Sequence, residues 1–235
     1  MAVTTEVPRT QSPAEIGGGH ALLVERVKAR VRLGLRHEAI RFGLTRDLDV
    51  PFEAPEARIP ISVRKLESGD LPALQSLEES ANVGQDAIDA AWRGRFASRQ
   101  LNGGYVAVDD RDGTPCYVQW LLGPADNDFI ASLGGFPRLK DGEALLENAY
   151  TPPKYRGMRI MPAAMARIAE HGRDVGDRHV MTFVGTDNIP SLKGCKRSGF
   201  APTLLHTETR YLFGTVRRDS FADLAADDPR RILEF

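Results

Sequence analysis

The segment Ala149-Tyr-Thr-Pro-Pro-Lys-Tyr-Arg-Gly-Met-Arg-Ile-Met161 joins a strand-like run to a helix-like run through a basic turn at Arg156-Gly157. A strand, turn and helix in that order aim successive backbone N–H groups at one spot, because the first turn of a helix has no internal acceptors for them. The helix dipole adds a partial positive charge there, so the natural occupant is a phosphate or pyrophosphate. Gly157 has no side chain to hold a ligand away from the backbone, and Arg156 and Arg159 bring full charges. The expected donors run from Gly157 through Met158, Arg159 and Ile160 to Met161. A second segment, Asn188-Ile-Pro-Ser-Leu-Lys-Gly-Cys-Lys-Arg-Ser-Gly-Phe200, reads as a short helix. Asn188 is its cap, Pro190 lies in its first turn, Lys193, Lys196 and Arg197 load its end, and Gly199 stops it.

The elements that must hold these segments follow from periodicity. Ile61 to Lys65 alternates as a strand. Leu71 to Glu79, capped by Ser68 or Asp70, and Gln85 to Arg99 read as helices. Tyr105–Val108 and Cys116–Leu122 flank Asp109-Asp-Arg-Asp-Gly-Thr114, whose Asp-Gly pair predicts an antiparallel hairpin. Glu143 to Thr151 is the strand before the basic turn, and Pro152-Pro153 ends it. Met161 to His171 is the helix after it, His179 to Val184 a buried strand, and Leu204 to Phe213 one or two closing strands. Phe129 to Gly142 has no clear period.

Ahead of this region, residues 1–19 are rich in Thr, Pro and Gly and read as a disordered leader without a signal-peptide pattern. Residues 20–59 form an extension and linker. Leu23, Val27, Val31 and Leu35 make an apolar stripe on a basic helix over 22–36, suited to docking on the domain or to peripheral contact with a membrane surface. Ile40, Phe42 and Leu44 alternate as a strand, and Pro51 to Pro60 reads as a linker. The main domain covers 60–214 and a C-terminal tail 215–235.

The composition narrows the partners. The chain has 31 basic and 32 acidic residues among 235, which argues against nucleic acid as the main ligand. No apolar run reaches the roughly 20 residues of a membrane span, and cytoplasm is the expected location. Two cysteines and five histidines without ligand spacing indicate neither a disulfide framework nor a metal site.

Lys154-Tyr-Arg-Gly-Met-Arg159 resembles the Q/R-x-x-G-x-G/A signature of the GNAT superfamily of N-acetyltransferases. The preceding strand with Pro153, and Asn188…Ser191…Gly199-Phe200, resemble that family too, over roughly Ile61 to Gly214. The resemblance implies an α/β fold with a mixed, mostly antiparallel central sheet flanked by helices, here carrying an N-terminal helix-strand extension. It implies acetyl-CoA as co-substrate, no metal, and acetyl transfer to a primary amine of a small molecule or amino sugar. The first two helices, the Gly123–Gly142 segment and the C-terminal strands would grip that acceptor.

Residue by residue, the resemblance implies Ala149, Tyr150 and Thr151 as the backbone beside the acetyl group, with amides near Tyr150 and Thr151 as oxyanion donors. Arg156, Gly157, Met158, Arg159, Ile160 and Met161 would hold the pyrophosphate, Asn188 would bond the pantetheine or cap its own helix, and Ser191 would join the co-substrate site. Glu143 or Glu147 would be the general base, with Glu143 favoured because the family often uses a glutamate early in this strand; four residues apart on a strand, they share a face. Cys195 stands where many members carry a tyrosine acid, and Arg159 where they carry a small residue. Two readings stay open beside acetyl transfer. One is a longer acyl-CoA or an acyl carrier protein as donor, meeting Arg156, Arg159, Lys193, Lys196 and Arg197. Another is a CoA-binding regulatory module without catalysis. A homodimer is compatible with any of them.

Overall fold

The structure, a computed structural model, describes residues 34–70, 103–175 and 177–234, together with Val31 and Pro72. Most of the helix expected over 22–36, and the bulk of those expected over 71–79 and 85–99, lie outside the described residues.

Eight strands form one sheet: β1 (Arg36–Asp47), β2 (Ile61–Lys65), β3 (Gly104–Asp109), β4 (Pro115–Leu122), β5 (Glu143–Tyr150), β6 (His179–Gly185), β7 (Ala201–Tyr211) and β8 (Val216–Asp223). They lie in the order β2-β3-β4-β5-β6-β1-β7-β8. The pairs β2–β3, β3–β4, β4–β5 and β1–β6 are antiparallel, and β5–β6 is parallel. The described α-helices are α1 (Asn127–Leu133), α2 (Ile160–Glu170) and α3 (Ile189–Arg197). The chain divides into a larger unit, Ile40–His206 with Phe221–Phe235, and a smaller one, residues up to Ala39 with Thr207–Ser220.

In the larger unit the β3–β4 hairpin closes at the Asp-Gly pair, with Gly113 at φ +74°. Asp109 takes Nε and Nη2 of Arg111 on its two oxygens at 2.8 and 2.6 Å, and this pairing holds its carboxyl down at about 2. The apolar residues alternate, so the sheet has two packed faces. Leu44, Tyr117, Leu121, Ala144, Leu146, Val180 and Val184 pack with α2 and α3 on one face. Val118, Trp120, Leu122, Leu145, Met181 and Phe183 pack with α1 on the other. Ala163, Ala164, Ala166 and Ala169 are all buried, so α2 presents small residues to its neighbours. Ser198 Oγ donates to Pro162 O at 3.1 Å and pins the end of α3 to the first turn of α2.

The segment without clear period contains α1 and a loop shaped by one side chain. Asn127 Nδ2 donates to Leu139 O at 2.9 Å, and Asn127 Oδ1 accepts from Leu139 N at 2.8 Å. A buried amide thus substitutes for a strand partner.

The strand signalled by Ile40, Phe42 and Leu44 does form, as β1, but as an inner strand between β6 and β7. Leu44 and Leu48 are fully buried. The Pro51–Pro60 segment is bound to the domain as well. Arg58 N donates to Met158 O at 2.9 Å, Asp110 N donates to Pro60 O at 3.1 Å, and the Phe52 ring lies against Gly199. Residues 40–60 therefore belong structurally with the unit that follows them.

In the smaller unit, Leu212 N and Phe213 N donate to Leu35 O and Gly34 O at 3.0 and 2.9 Å. Arg217 pairs with Glu208 and Asp219.

Arg46 fastens β1 to α2. It is buried, it donates to Ala166 O at 3.0 Å, it pairs with Glu170, and its guanidinium lies 4.6 Å from the Phe52 ring centroid. Arg46→Ala removes all three contacts while Glu170 regains water, so we expect a loss of about 2 kcal/mol in chemical denaturation.

Candidate functional site

The strand before the basic turn is irregular at one place. Val118 stands opposite Tyr150 and Trp120 opposite Glu147, so three residues of β5 span what two span on β4. The extra residue is a β-bulge at Asn148–Ala149, and Asn148 takes φ +60°. Asn is among the few residues that adopt this conformation readily. A bulge bends its strand and ends regular pairing. On the other side, β5 pairs with β6 only at Glu143, Ala144 and Leu145. Beyond Leu145 the two strands run on without ladder partners between them, so the sheet opens there.

Below this opening, residues 153–155 make one turn of 3-10 helix, Gly157 turns the chain at φ +80°, and Arg159 at φ +56° precedes α2. An added Cβ on Gly157 would meet nothing within 4 Å, so its requirement for glycine is the backbone angle alone. Arg156 Nε donates to Thr151 O at 3.2 Å and ties the turn back to the strand end. Met158 N donates to Tyr155 O at 3.4 Å. Of the five expected donors, Met158 is therefore turned into the protein, while the N–H groups of Ile160 and Met161 open α2 and have no intrahelical acceptor.

These residues line a cleft of about 370 Å³ between the two helix starts. Thr151, Arg156, Gly157, Arg159, Ile160, Met161 and Ser191 line it, and so do Tyr155, Pro162, Pro190, Lys193, Gly194 and Arg197. Four cationic side chains thus face a cleft with no carboxylate in its lining. Arg159 is exposed and does not fill the turn. Tyr155 is buried in the floor and hydrogen-bonded to Asp109 of the hairpin. Asn188 Oδ1 accepts from Ser191 N at 3.2 Å, so Asn188 caps α3 and is not in the lining. Ala149 and Tyr150 lie on the strand above the cleft, and Met158 packs on the core.

The proton-transfer candidates separate clearly. Glu143 accepts from Lys140 N at 2.9 Å, which makes it the closing residue of a surface turn at the paired end of β5. Glu147 lies at the open end. It shares its face with Leu145 and the cluster around Trp120 and Phe183. Desolvation pushes its carboxyl up to about 7, against the Asn148 N–H that it accepts and the charge of Arg41. Cys195 is fully buried against Met165, its sulfur 4.0 Å from the thioether, and burial pushes its thiol up to about 12. The structure does not bring Cys195 to the cleft.

One neighbour of Glu147 falls outside the residues singled out by motif. Arg41 of β1 donates through Nε to His206 Nδ1 at 3.1 Å and through Nη2 to Gly135 O at 2.6 Å. Its only sequence signal is a charge inside an alternating strand.

The profile of the Acetyltransferase (GNAT) family matches residues 77–200, more than half of the chain. The chain belongs to this family. The family is one of acetyltransferases, and its reaction draws on acetyl-CoA. A GNAT-family acetyltransferase from Colwellia psychrerythraea is similar in structure, with TM-score 0.50 and 10% identity over 81% of this chain and 57% of that one. A GCN5-related N-acetyltransferase from Sphaerobacter thermophilus is similar at TM-score 0.51 and 16% identity, over 82% of this chain and 59% of that one. At these identities the likeness is one of fold, and this chain spans less than three fifths of either structure. No curated protein matches the sequence.

The family signature's central glycine gives a direct test. Gly157→Ala places a Cβ on a left-handed residue and should cost about 1 kcal/mol in urea unfolding. Gly157→Asn should cost clearly less, because Asn tolerates that angle. Equal losses would mean that space rather than backbone angle selects glycine here.

Proposed function

We propose that this protein is an N-acetyltransferase that moves an acetyl group from acetyl-CoA to the primary amine of a small molecule, amino sugars included. The observation that carries the reading is the place of Glu147, at the open end of the strand that leads directly into a cationic, carboxylate-free cleft, where burial pushes its carboxyl up to about 7. The cleft suits a pyrophosphate. Gly157, Arg159, Ile160 and Met161 would supply N–H donors and Arg156, Arg159, Lys193 and Arg197 charge. Ser191 would face the pantetheine.

The thioester would then enter the opening between β5 and β6. The acceptor ammonium gives one proton to Glu147, and the freed amine attacks the carbonyl carbon. Amides near Tyr150 and Thr151 would stabilise the oxyanion. The C–S bond breaks as the tetrahedral intermediate collapses, and the second proton that the attacking nitrogen must lose passes through water to the leaving thiolate. A thiol of pKa about 8.5 leaves without strong acid help, so the burial of Cys195 is compatible with turnover.

Glu147 must be ionised to accept a proton. The rate should therefore rise with pH through about 7. Glu147→Gln should lower kcat by about 10² to 10³ in a thiol-release assay on an amine panel and flatten that rise. Activity confined to peptides or protein N-termini would overturn the acceptor class. The same substitution should affect stability with the opposite sign. A carboxyl whose folded pKa lies above its unfolded value contributes stability at acid pH that is lost as pH rises toward the folded value. Glu147→Gln should thus match the wild type at pH 4 and melt about 5 °C higher at pH 8.

A further inference from the structure

β1 lies outside the residues that match the family profile, 77–200, yet it is an inner strand of the sheet. Its residues alternate between the two faces. Leu44 and Phe42 join the core with α2, so Arg41 and Gly43 point to the face of α1, the face of Glu147. Arg41 pairs with Gly185 and Gly43 with Phe183 on β6. The parallel register of β5 and β6 sets Leu145 beside Met181. Two residues further along each strand, past the end of the ladder, come Glu147 on β5 and Phe183 on β6. The Arg41 guanidinium lies 5.6 Å from the centroid of the Phe183 ring and 5.1 Å from that of Phe136. It therefore reaches over β6 toward the open end of β5.

Arg41 is held there from several directions. Gly135 O takes Nη2, His206 Nδ1 takes Nε, and two aromatic rings flank the charge. His206 is fully buried and stacks on Phe221, with ring centroids 4.7 Å apart. Because its Nδ1 accepts from Arg41, the ring is neutral and adds no second charge. Gly43 makes the room: an added Cβ would lie 2.9 Å from the Phe183 ring and 2.8 Å from Leu204 Cβ.

On α1, the loop after it, β4, β5 and β6, the other charged groups among the described residues are exposed or lie at the paired end of the strands. Among the described residues, α1 carries only exposed Asp128 and the following loop exposed Arg138, Lys140 and Asp141. Glu143 and its neighbour across the ladder, His179, lie at the paired end of β5 and β6, and β4 has no charged residue.

We propose that Arg41 is a positioning residue for the base: a fixed guanidinium, supplied by a strand outside the family match, that acts through its charge to keep the Glu147 carboxylate ionised at the open end of the sheet. The proposal rests on Glu147 as the base. It explains how a desolvated carboxyl on the face of Trp120, Leu145 and Phe183 remains ionisable near neutrality, since an unopposed apolar setting would carry it higher. It also gives β1 a chemical role in addition to its packing.

The test has two readouts on the full chain. In carbon-detected NMR, with Glu147→Gln to assign the signal, Arg41→Gln should raise the Glu147 titration midpoint by about one pH unit, and Arg41→Lys should stay close to the wild type. In kcat/KM profiles, Arg41→Gln should lose about tenfold at pH 6 and recover above pH 9, because a midpoint raised that far leaves about a tenth of the ionised base at acid pH. A loss of equal size at every pH would mean a purely structural role and would overturn the proposal. An unmoved Glu147 midpoint in a folded Arg41→Gln would overturn it as well, while an inactive Glu147→Gln would leave the acetyltransferase reading standing. Should Arg41→Gln not fold, Arg41→Met, which keeps the aliphatic stem between the rings, carries the same expectations. A midpoint that moves in a protein whose rate ignores Glu147 supports the electrostatic link and removes the base assignment.

Discussion

Between Val118 and Trp120, β4 uses two residues where β5 uses three, and the bulge at Asn148–Ala149 that results is the constraint on which the site depends. Without it β5 would stay straight and could pair with β6 along its full length. The N–H and C=O groups of both strands would then be taken up in a ladder, leaving no gap in the sheet. With it, pairing ends at Leu145 and Met181. The same bend delivers Thr151 and the Gly157 turn to the start of α2 and leaves Glu147 on the open edge. Donor cleft and candidate base are thus two consequences of one added residue.

The surrounding structure keeps the opening from collapsing. Asp109 and Arg111 fix the hairpin, and Asp109 in turn holds Tyr155 under the cleft. Arg46 couples β1 to α2, and Arg58 bonds the backbone of Met158 from the proline-rich segment. Polar contacts in low dielectric restrict geometry more than they add net stability. Here they set the position of the turn relative to the strand it leaves, which a phosphate site needs.

Much of this was legible in local sequence because the signals are local. Asp-Gly in the hairpin, Asn188 with Pro190 at a helix start, and Gly199 at its end each act within a few residues, and the structure has them in those roles. The basic turn at Gly157 was readable for the same reason. What escaped local reading depends on long-range pairing. Glu143-Ala-Leu-Leu-Glu-Asn-Ala-Tyr150 contains no glycine or proline to announce a bulge, so the family pattern favours Glu143, and only the pairing with β4 and β6 puts Glu147 rather than Glu143 at the open end. Cys195 could be read from sequence either as a buried packing residue, as free cysteine commonly is, or as a substitute acid, and its place against Met165 puts it in the core. Ile40, Phe42 and Leu44 announce a strand but not its place between β6 and β7, and the chemistry open to Arg41 follows only from that place.

The most direct measurement is a crystal structure of the full chain with CoA. Pyrophosphate oxygens are expected within about 3 Å of the N–H groups of Gly157, Arg159 and Ile160. The thiol should lie between β5 and β6 past Leu145 and Met181, within reach of Glu147. A CoA bound away from the Gly157 turn, or a ladder between β5 and β6 that continues past Leu145 and excludes the thiol, would contradict the proposed site.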